Sequence, residues 1–253
     1  MVNSDRFAKE LGYIKNDDTK QFAITAINNL PDYFFEVAAS STGKYHPSYA
    51  LGDGGLVRHT CAAARFANHL LQIEQFQEEF SDRECDLIIT AILLHDGWKH
   101  GNKASTFTVH EHPQVCADWV KSSEVLDNII PSKDRAIISE AIASHMGQWN
   151  ESKKSRVVLE KPNTEIQKFV HMCDYLASRK DLEVLFDEIE AAPVDINDYI
   201  MPFGKHKGEL LVEIAKNDKS YLVWASQNLK LQRPLDGFIK KLVKESDPLY
   251  TNQ

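Results

Sequence analysis

The sequence predicts an all-α protein, a helical bundle followed by a small α-rich module, and three observations carry that prediction. Apolar residues recur three or four apart in almost every patterned stretch, the spacing that lines up one face of a helix. With 253 residues, 43% hydrophobic and 26% charged, the chain has the material for a full core of ordinary globular composition. After Ala191-Ala192-Pro193 the pattern changes to Gly- and Pro-punctuated turns and two short helical patterns, which puts a domain border near 192–197.

Taken in order, residues 20–38 read as a helix interrupted at Pro31, within a helical extension over about 1–38. A Gly/Ser/Pro-rich loop follows from Ser40 to Gly55. Helices are expected from Leu56 to about Gln72, and at about 82–96, 113–121, 132–146 and 164–188. Pro113 suits the first turn of its helix, and Asn163-Thr164 offers a cap for the last. Segment 147–162 reads as polar loop, with a short hairpin as the alternative. The reading is a main domain over 1–192 and a basic module over 193–253.

Several classes drop out. The longest strongly apolar run, Leu87–Leu94, is far short of the roughly 20 residues of a membrane span. The start MVNSDRFAKELGYIKNDD has no basic end followed by an apolar core, so no secretory signal is expected and cytoplasmic residence is the default. Cys61, Cys85, Cys116 and Cys173 are widely spaced without a C-x-x-C, which argues against a zinc ribbon or a disulfide framework. A net charge of −8 disfavours indiscriminate nucleic-acid binding. Between Tyr199 and Lys244, however, nine Lys/Arg stand against four acids, a local +5 that leaves −13 for the remainder. This tail can meet a polyanion that the main body repels, or it is a solvated basic face.

The chemistry lies on apolar stripes. Leu56, His59, Ala63, Phe66 and Leu70 share one helical face; Ile88, Ala91, Ile92 and His95 share another, with Asp96 beside His95. Ile138, Ala141, Ile142 and His145 form a third, and Val170, Cys173, Asp174 and Ala177 a fourth, while His112 stands before Pro113 at a helix mouth. A single histidine on such a stripe is more often a satisfied core residue. A buried aspartate within a helix is costly unless a cation or a proton neutralises it. Four helices turning His or Asp toward one core point to a shared divalent cation, bound by imidazole and carboxylate. The rival is a buried His–Asp hydrogen-bond network.

The order His59 … His95-Asp96 … Asp174 resembles the H … HD … D pattern of HD-domain phosphohydrolases, which implies an all-α HD bundle. HDGWK (95–99) resembles the family's HD-x-x-K, which places Lys99 near substrate phosphate. HPQVCA (112–117) is similar to its H-P/T-x-x-G-A element, with Cys116 where glycine is usual. SHMGQW (144–149) is similar to its HH-G segment with one histidine replaced, and such added histidines mark two-metal members. FFEVAASSTGKYHPSYALGDGGLVRHT (34–60) and FVHMCDYLASRKDL (169–182) resemble blocks of YhaM-type 3′→5′ exoribonucleases, with Pro47 where a second histidine is common. The OB-like RNA-holding stretch of those enzymes has no counterpart here. MPFGKHKGELLVEI and SYLVWASQNL (201–229) resemble a short F-G-K-x-K-G module at the end of some exonucleases.

The resemblance implies one or two divalent ions (Mn, Fe, Co, Ni or Mg), the first on His59, His95, Asp96 and Asp174. Asp96 would bridge to a second ion on His112 and His145, with His110 competing for the place of His112. Such ions acidify water and clamp a phosphoryl oxygen, with Asp96 and Lys99 as the catalytic pair. Lys44, His46, Lys99, Lys205 and Lys207 are the expected substrate contacts, whereas Arg58 and His69 read as surface positions and His206 as a surface position that can meet phosphate beside Lys205 and Lys207. His171, one turn before Asp174, and Glu111 are candidate supports. Tyr221 and Trp224, three apart, read as a miniature core. The leading function is a phosphodiesterase or 3′→5′ exonuclease on single-stranded nucleic acid or oligonucleotides. A nucleotidase and a non-catalytic nucleotide-binding protein are the alternatives.

Overall fold

The computed structural model describes residues 2–40, 46–102, 107–182, 184, 196–197, 199–229, 231 and 235–245. Among the described residues it contains eleven α-helices and no strand beyond one isolated bridge between Ile200 and Leu210. The helices are α1 (Ala8–Leu11), α2 (Asp17–Asn28), α3 (Gly55–Leu70), α4 (Glu74–Glu79), α5 (Asp82–Leu94), α6 (His112–Ser122), α7 (Ser132–Ala143), α8 (Glu165–Ala177), α9 (Leu211–Asn217), α10 (Lys219–Asn228) and α11 (Leu235–Glu245). No helix among them is long and apolar enough to cross a membrane. The chain divides into two compact units, Met1–Phe186 and Asp187–Gln253. Most of the expected border at 192–197 lies outside the described residues.

In the first unit α3 and α5 are the central helices. α3 packs on α5 and α8, and α5 packs on α2, α7 and α8, while α6 lies on α7. Leu56, Ile88, Ile92, Ile138, Ile142 and Val170 are all fully or almost fully buried between them. Each such side chain contributes about 1.5–3 kcal/mol of burial. The ends are set by local chemistry. Ser81 caps α5 in a reciprocal box with Glu84, and Thr164 caps α8 with Gln167. Pro113 stands in the first turn of α6.

Several element predictions need correction. The Pro31-broken helix is α2 plus a 3-10 turn at Asp32–Phe35, because Pro31 has no N–H to continue the ladder. Segment 147–162 contains a 3-10 turn at Gly147–Trp149 and no hairpin. The last helix of this unit ends at Ala177 rather than near 188, where Ser178 turns its hydroxyl back to the Tyr175 carbonyl. α1 and α4 are too short to leave a periodic signature, and α4 buries no residue fully.

The second unit folds around Met201, Leu211, Ile214, Leu222, Leu235 and Ile239. The FGKHKG segment forms the turn closed by the Ile200–Leu210 bridge. Gly204 has a positive φ of 76°, and a Cβ there would lie 2.2 Å from the Tyr221 hydroxyl, so glycine is required. Tyr221 packs against this core as the spacing predicts, but Trp224 is 48% exposed.

Candidate metal centre

His59 lies in the first half of α3, on the stripe facing α5 and α8, and Asp174 lies on α8 opposite. His59 Nε2 is 2.9 Å from Asp174 Oδ1. The periodicity predicts helices running to 96 and 146, whereas α5 stops at Leu94 and α7 at Ala143. His95, Asp96 and His145 stand just beyond those ends. Carbonyls in a last helical turn lack continuing intrahelical partners, and here the imidazoles supply donors. His95 Nδ1 donates to Ile92 O at 2.6 Å, and His145 Nδ1 donates to Ile142 O at 2.7 Å. His112, the first residue of α6, donates in the same way to Val109 O at 2.7 Å.

Those three bonds set the chemistry of the centre. A neutral imidazole that donates through Nδ1 keeps an unprotonated lone pair on Nε2. His95 Nε2 lies 3.5 Å from Asp96 Oδ2 and 3.4 Å from Asp174 Oδ1. His112 Nε2 and His145 Nε2 lie 3.0 and 3.7 Å from Asp96 Oδ1, and 3.2 Å from each other. Lone pairs facing lone pairs at these distances repel unless a cation or a proton lies among them. His95 Nε2 and Asp96 Oδ1 are buried with no hydrogen-bond partner, a condition that costs about 1–3 kcal/mol per group.

A divalent ion answers that deficit, and imidazole with carboxylate is a donor set that suits one. Ligand atoms of His59, His95 and Asp174 lie within 4.8 Å of one another, as do those of His95, Asp96 and His145. Burial works against a charge on Asp96, but Lys99, His95 and His112 hold its carboxyl well below the usual range. Burial likewise opposes charge on Asp174, and His59 and His95 overcome it. His145 is pushed down to about 3 by burial and by His95 and His112, which leaves it neutral. The Lys99 ammonium stands beside these two carboxylates, and against the opposing effect of burial the same carboxylates raise the pKa of His95.

Lys99 is nearly buried and donates to Asp96 Oδ2. The His46 ring packs 5.3 Å from that of His59, and burial, His59 and Lys99 push its pKa down to about 3. Lys44 lies outside the described residues. His112, not His110, faces Asp96. Two basic groups of the second unit behave differently. Lys205 pairs with Asp218 at 2.9 Å, while Lys207 is exposed.

Sequence reasoning misjudged two positions and underrated a third. Arg58 is not a surface residue. It is buried and donates to the carbonyls of Tyr49, Leu51 and Asp53, clamping the loop that leads into α3. His206 is also buried, between Glu209 and Asp218. His171 Nδ1 donates to the backbone carbonyl of His145 at 2.6 Å, so it braces that residue from behind. The signal was Gly147, whose φ of +57° places a hypothetical Cβ 2.2 Å from the His171 ring. Glu111 accepts a hydrogen bond from Ser155, His100 stacks on Tyr33, and His69 is exposed.

Residues 56–179 match the HD domain family, and that span contains all six converging residues, His59, His95, Asp96, His112, His145 and Asp174. Residues 201–230 match the Exodeoxyribonuclease X-like C-terminal family. No curated protein and no solved structure matches the chain. The chain thus carries an HD domain over 56–179 and an Exodeoxyribonuclease X-like C-terminal element over 201–230. HD domains form a superfamily of metal-dependent phosphohydrolases, and the protein that carries this one is an enzyme.

Proposed function

We propose that this enzyme is a 3′→5′ exonuclease or phosphodiesterase acting on single-stranded nucleic acid or oligonucleotides. The observation that supports it most is the coexistence of the unsatisfied His/Asp centre with an exonuclease-type module in one chain. The YhaM-like blocks at 34–60 and 169–182 point the same way. In this reading His59, His95, Asp96 and Asp174 hold one divalent ion, and Asp96, His112 and His145 hold a second. Bound there, such ions lower the pKa of water and neutralise phosphoryl oxygens.

The chain's own groups do the rest. The backbone carbonyls of Ile92, Val109 and Ile142 fix three imidazole tautomers, so the ligands are preorganised. Asp96 stands between the two histidine groups, its Oδ2 toward His59 and His95 and its Oδ1 toward His112 and His145. Lys99 carries an ammonium beside Asp96 and is the group that meets developing phosphate charge. His46 lines the pocket beside His59 and touches substrate. Lys207, and Lys205 once released from Asp218, neutralise phosphates of a strand.

The test is a Mn²⁺- or Mg²⁺-loaded preparation offered labelled single strands, 5′-nucleotides, deoxynucleoside triphosphates, cyclic dinucleotides and bis-p-nitrophenyl phosphate. Stepwise shortening of single strands from the 3′ end is expected. Hydrolysis confined to mononucleotides would replace this reading with a nucleotidase, and no turnover of any phosphoester would overturn both.

A further inference from the structure

Beside the metal centre stands a cluster that the hydrolytic machinery leaves unused. Trp149, four residues after His145, stacks on Tyr175, the residue after Asp174, with ring centroids 5.7 Å apart and planes 12° from parallel. The Arg179 guanidinium lies 4.4 Å from the Tyr175 centroid and 5.7 Å from that of Trp149. His171 meets Trp149 edge-on at 6.2 Å while donating to the His145 carbonyl. The cluster is thus tied to the backbone at two proposed ligands.

Its exposure is unusual for so ordered a group. Trp149 keeps 44% of its surface in solvent although Tyr175, Arg179 and His171 hold it. A buried Arg179 Nε also has no hydrogen-bond partner. Among the six converging side chains, that of Asp174, the residue before Tyr175, is the most open to solvent. The side chain of Asp174 is 19% exposed, whereas those of His59, His95, Asp96, His112 and His145 are 1–2% exposed. A substrate phosphate reaching the centre past Asp174 carries its attached nucleoside past Tyr175 and Trp149.

From this arrangement we infer that Trp149, supported by Tyr175 and Arg179, is a stacking platform for a nucleobase of the substrate, next to the phosphate held at the metal centre. The inference rests on the proposed nucleic-acid reading and adds a subsite to it. An exposed indole braced by a second ring and a guanidinium offers a flat face of fixed orientation, and every base has a π-face to lay on it. Recognition by stacking tolerates any sequence, as an exonuclease that shortens strands of any sequence requires. Trp149 is a binding residue, and Tyr175 and Arg179 position it.

The test is titration of the full-length, Mn²⁺-loaded protein with adenosine 5′-monophosphate and with ribose 5-phosphate, which keeps the phosphate and lacks the base. Binding is read by calorimetry and by tryptophan fluorescence. The nucleotide is expected to bind about tenfold more tightly, the scale of one base on an aromatic ring. It should quench fluorescence where ribose 5-phosphate does not. Trp149→Ala should abolish both differences and leave ribose 5-phosphate affinity and metal content unchanged, whereas Trp149→Phe should keep most of the affinity difference. Equal affinities in the wild type, or a base preference that survives Trp149→Ala, would overturn the platform. The readout needs no turnover. A chain that cleaves nothing ends the exonuclease reading alone, and an active nuclease without base preference ends the platform alone.

Discussion

Each unit of this protein holds a histidine among carboxylates, and the two clusters are satisfied in opposite ways. In the second unit His206 Nδ1 is 3.0 Å from Glu209 and Nε2 is 2.9 Å from Asp218. Both nitrogens act as donors, so the ring is charged, and Asp218 and then Glu209 hold its pKa above the ordinary 6.5. Asp218 further accepts from Lys205 and Ser220. That network is complete within the protein. In the first unit each of His95, His112 and His145 gives Nδ1 to a backbone carbonyl and turns Nε2 toward carboxylate oxygen. The residue types are the same in both places. What separates an ion-pair network from a metal centre is what the hydrogen bonds leave undone.

The sharpest way to break this contrast is Asp96→Asn, which removes the charge between the two histidine groups. Turnover should fall more than about a hundredfold, beyond the range for losing a residue that merely supports a ligand. Bound metal, measured by atomic emission, should fall with it while helical circular dichroism is retained. Wild-type turnover in that variant would refute the centre. His206→Gln, in contrast, should leave the metal content unchanged.

Next in size is Arg58→Ala. Three loop carbonyls would lose charged donors, and urea unfolding should show a loss of about 2–3 kcal/mol, the worth of such a bond left unmade in a buried setting. A change near zero would mean that water replaces the clamp. The smallest effect concerns pH. Because the folded pKa of His206 is raised, its contribution is fully present below the unfolded value near 6.5 and is lost as pH rises through the higher folded value. Proton NMR should place its midpoint above 6.5. The stability of wild type should decline relative to His206→Gln over that window, and a midpoint below 6.5 would contradict the ion-pair reading.

Much of the candidate centre was legible because helical periodicity is local: His59 and Asp174 lie on their stripes, and His95 and His145 continue theirs. Arg58 and His206 were misread because their burial is made by segments folding over them. The carbonyls of 49–53 cover the first, and Asp218 and Tyr221 cover the second. Trp224 was misread in the other direction, since a spacing of three places two rings together without saying which one faces water.

By itself the amino-acid order determined the helical class, the change of character after Pro193, and the inward stripes of α3, α5, α7 and α8, since all three follow from spacing along one polymer. Tertiary structure decided that His112 rather than His110 meets Asp96, and that three imidazoles present Nε2. It also decided that the protein's own hydrogen bonds fall short there. Those outcomes depend on where carbonyls and carboxylates from distant segments end up in space, and no local pattern encodes that.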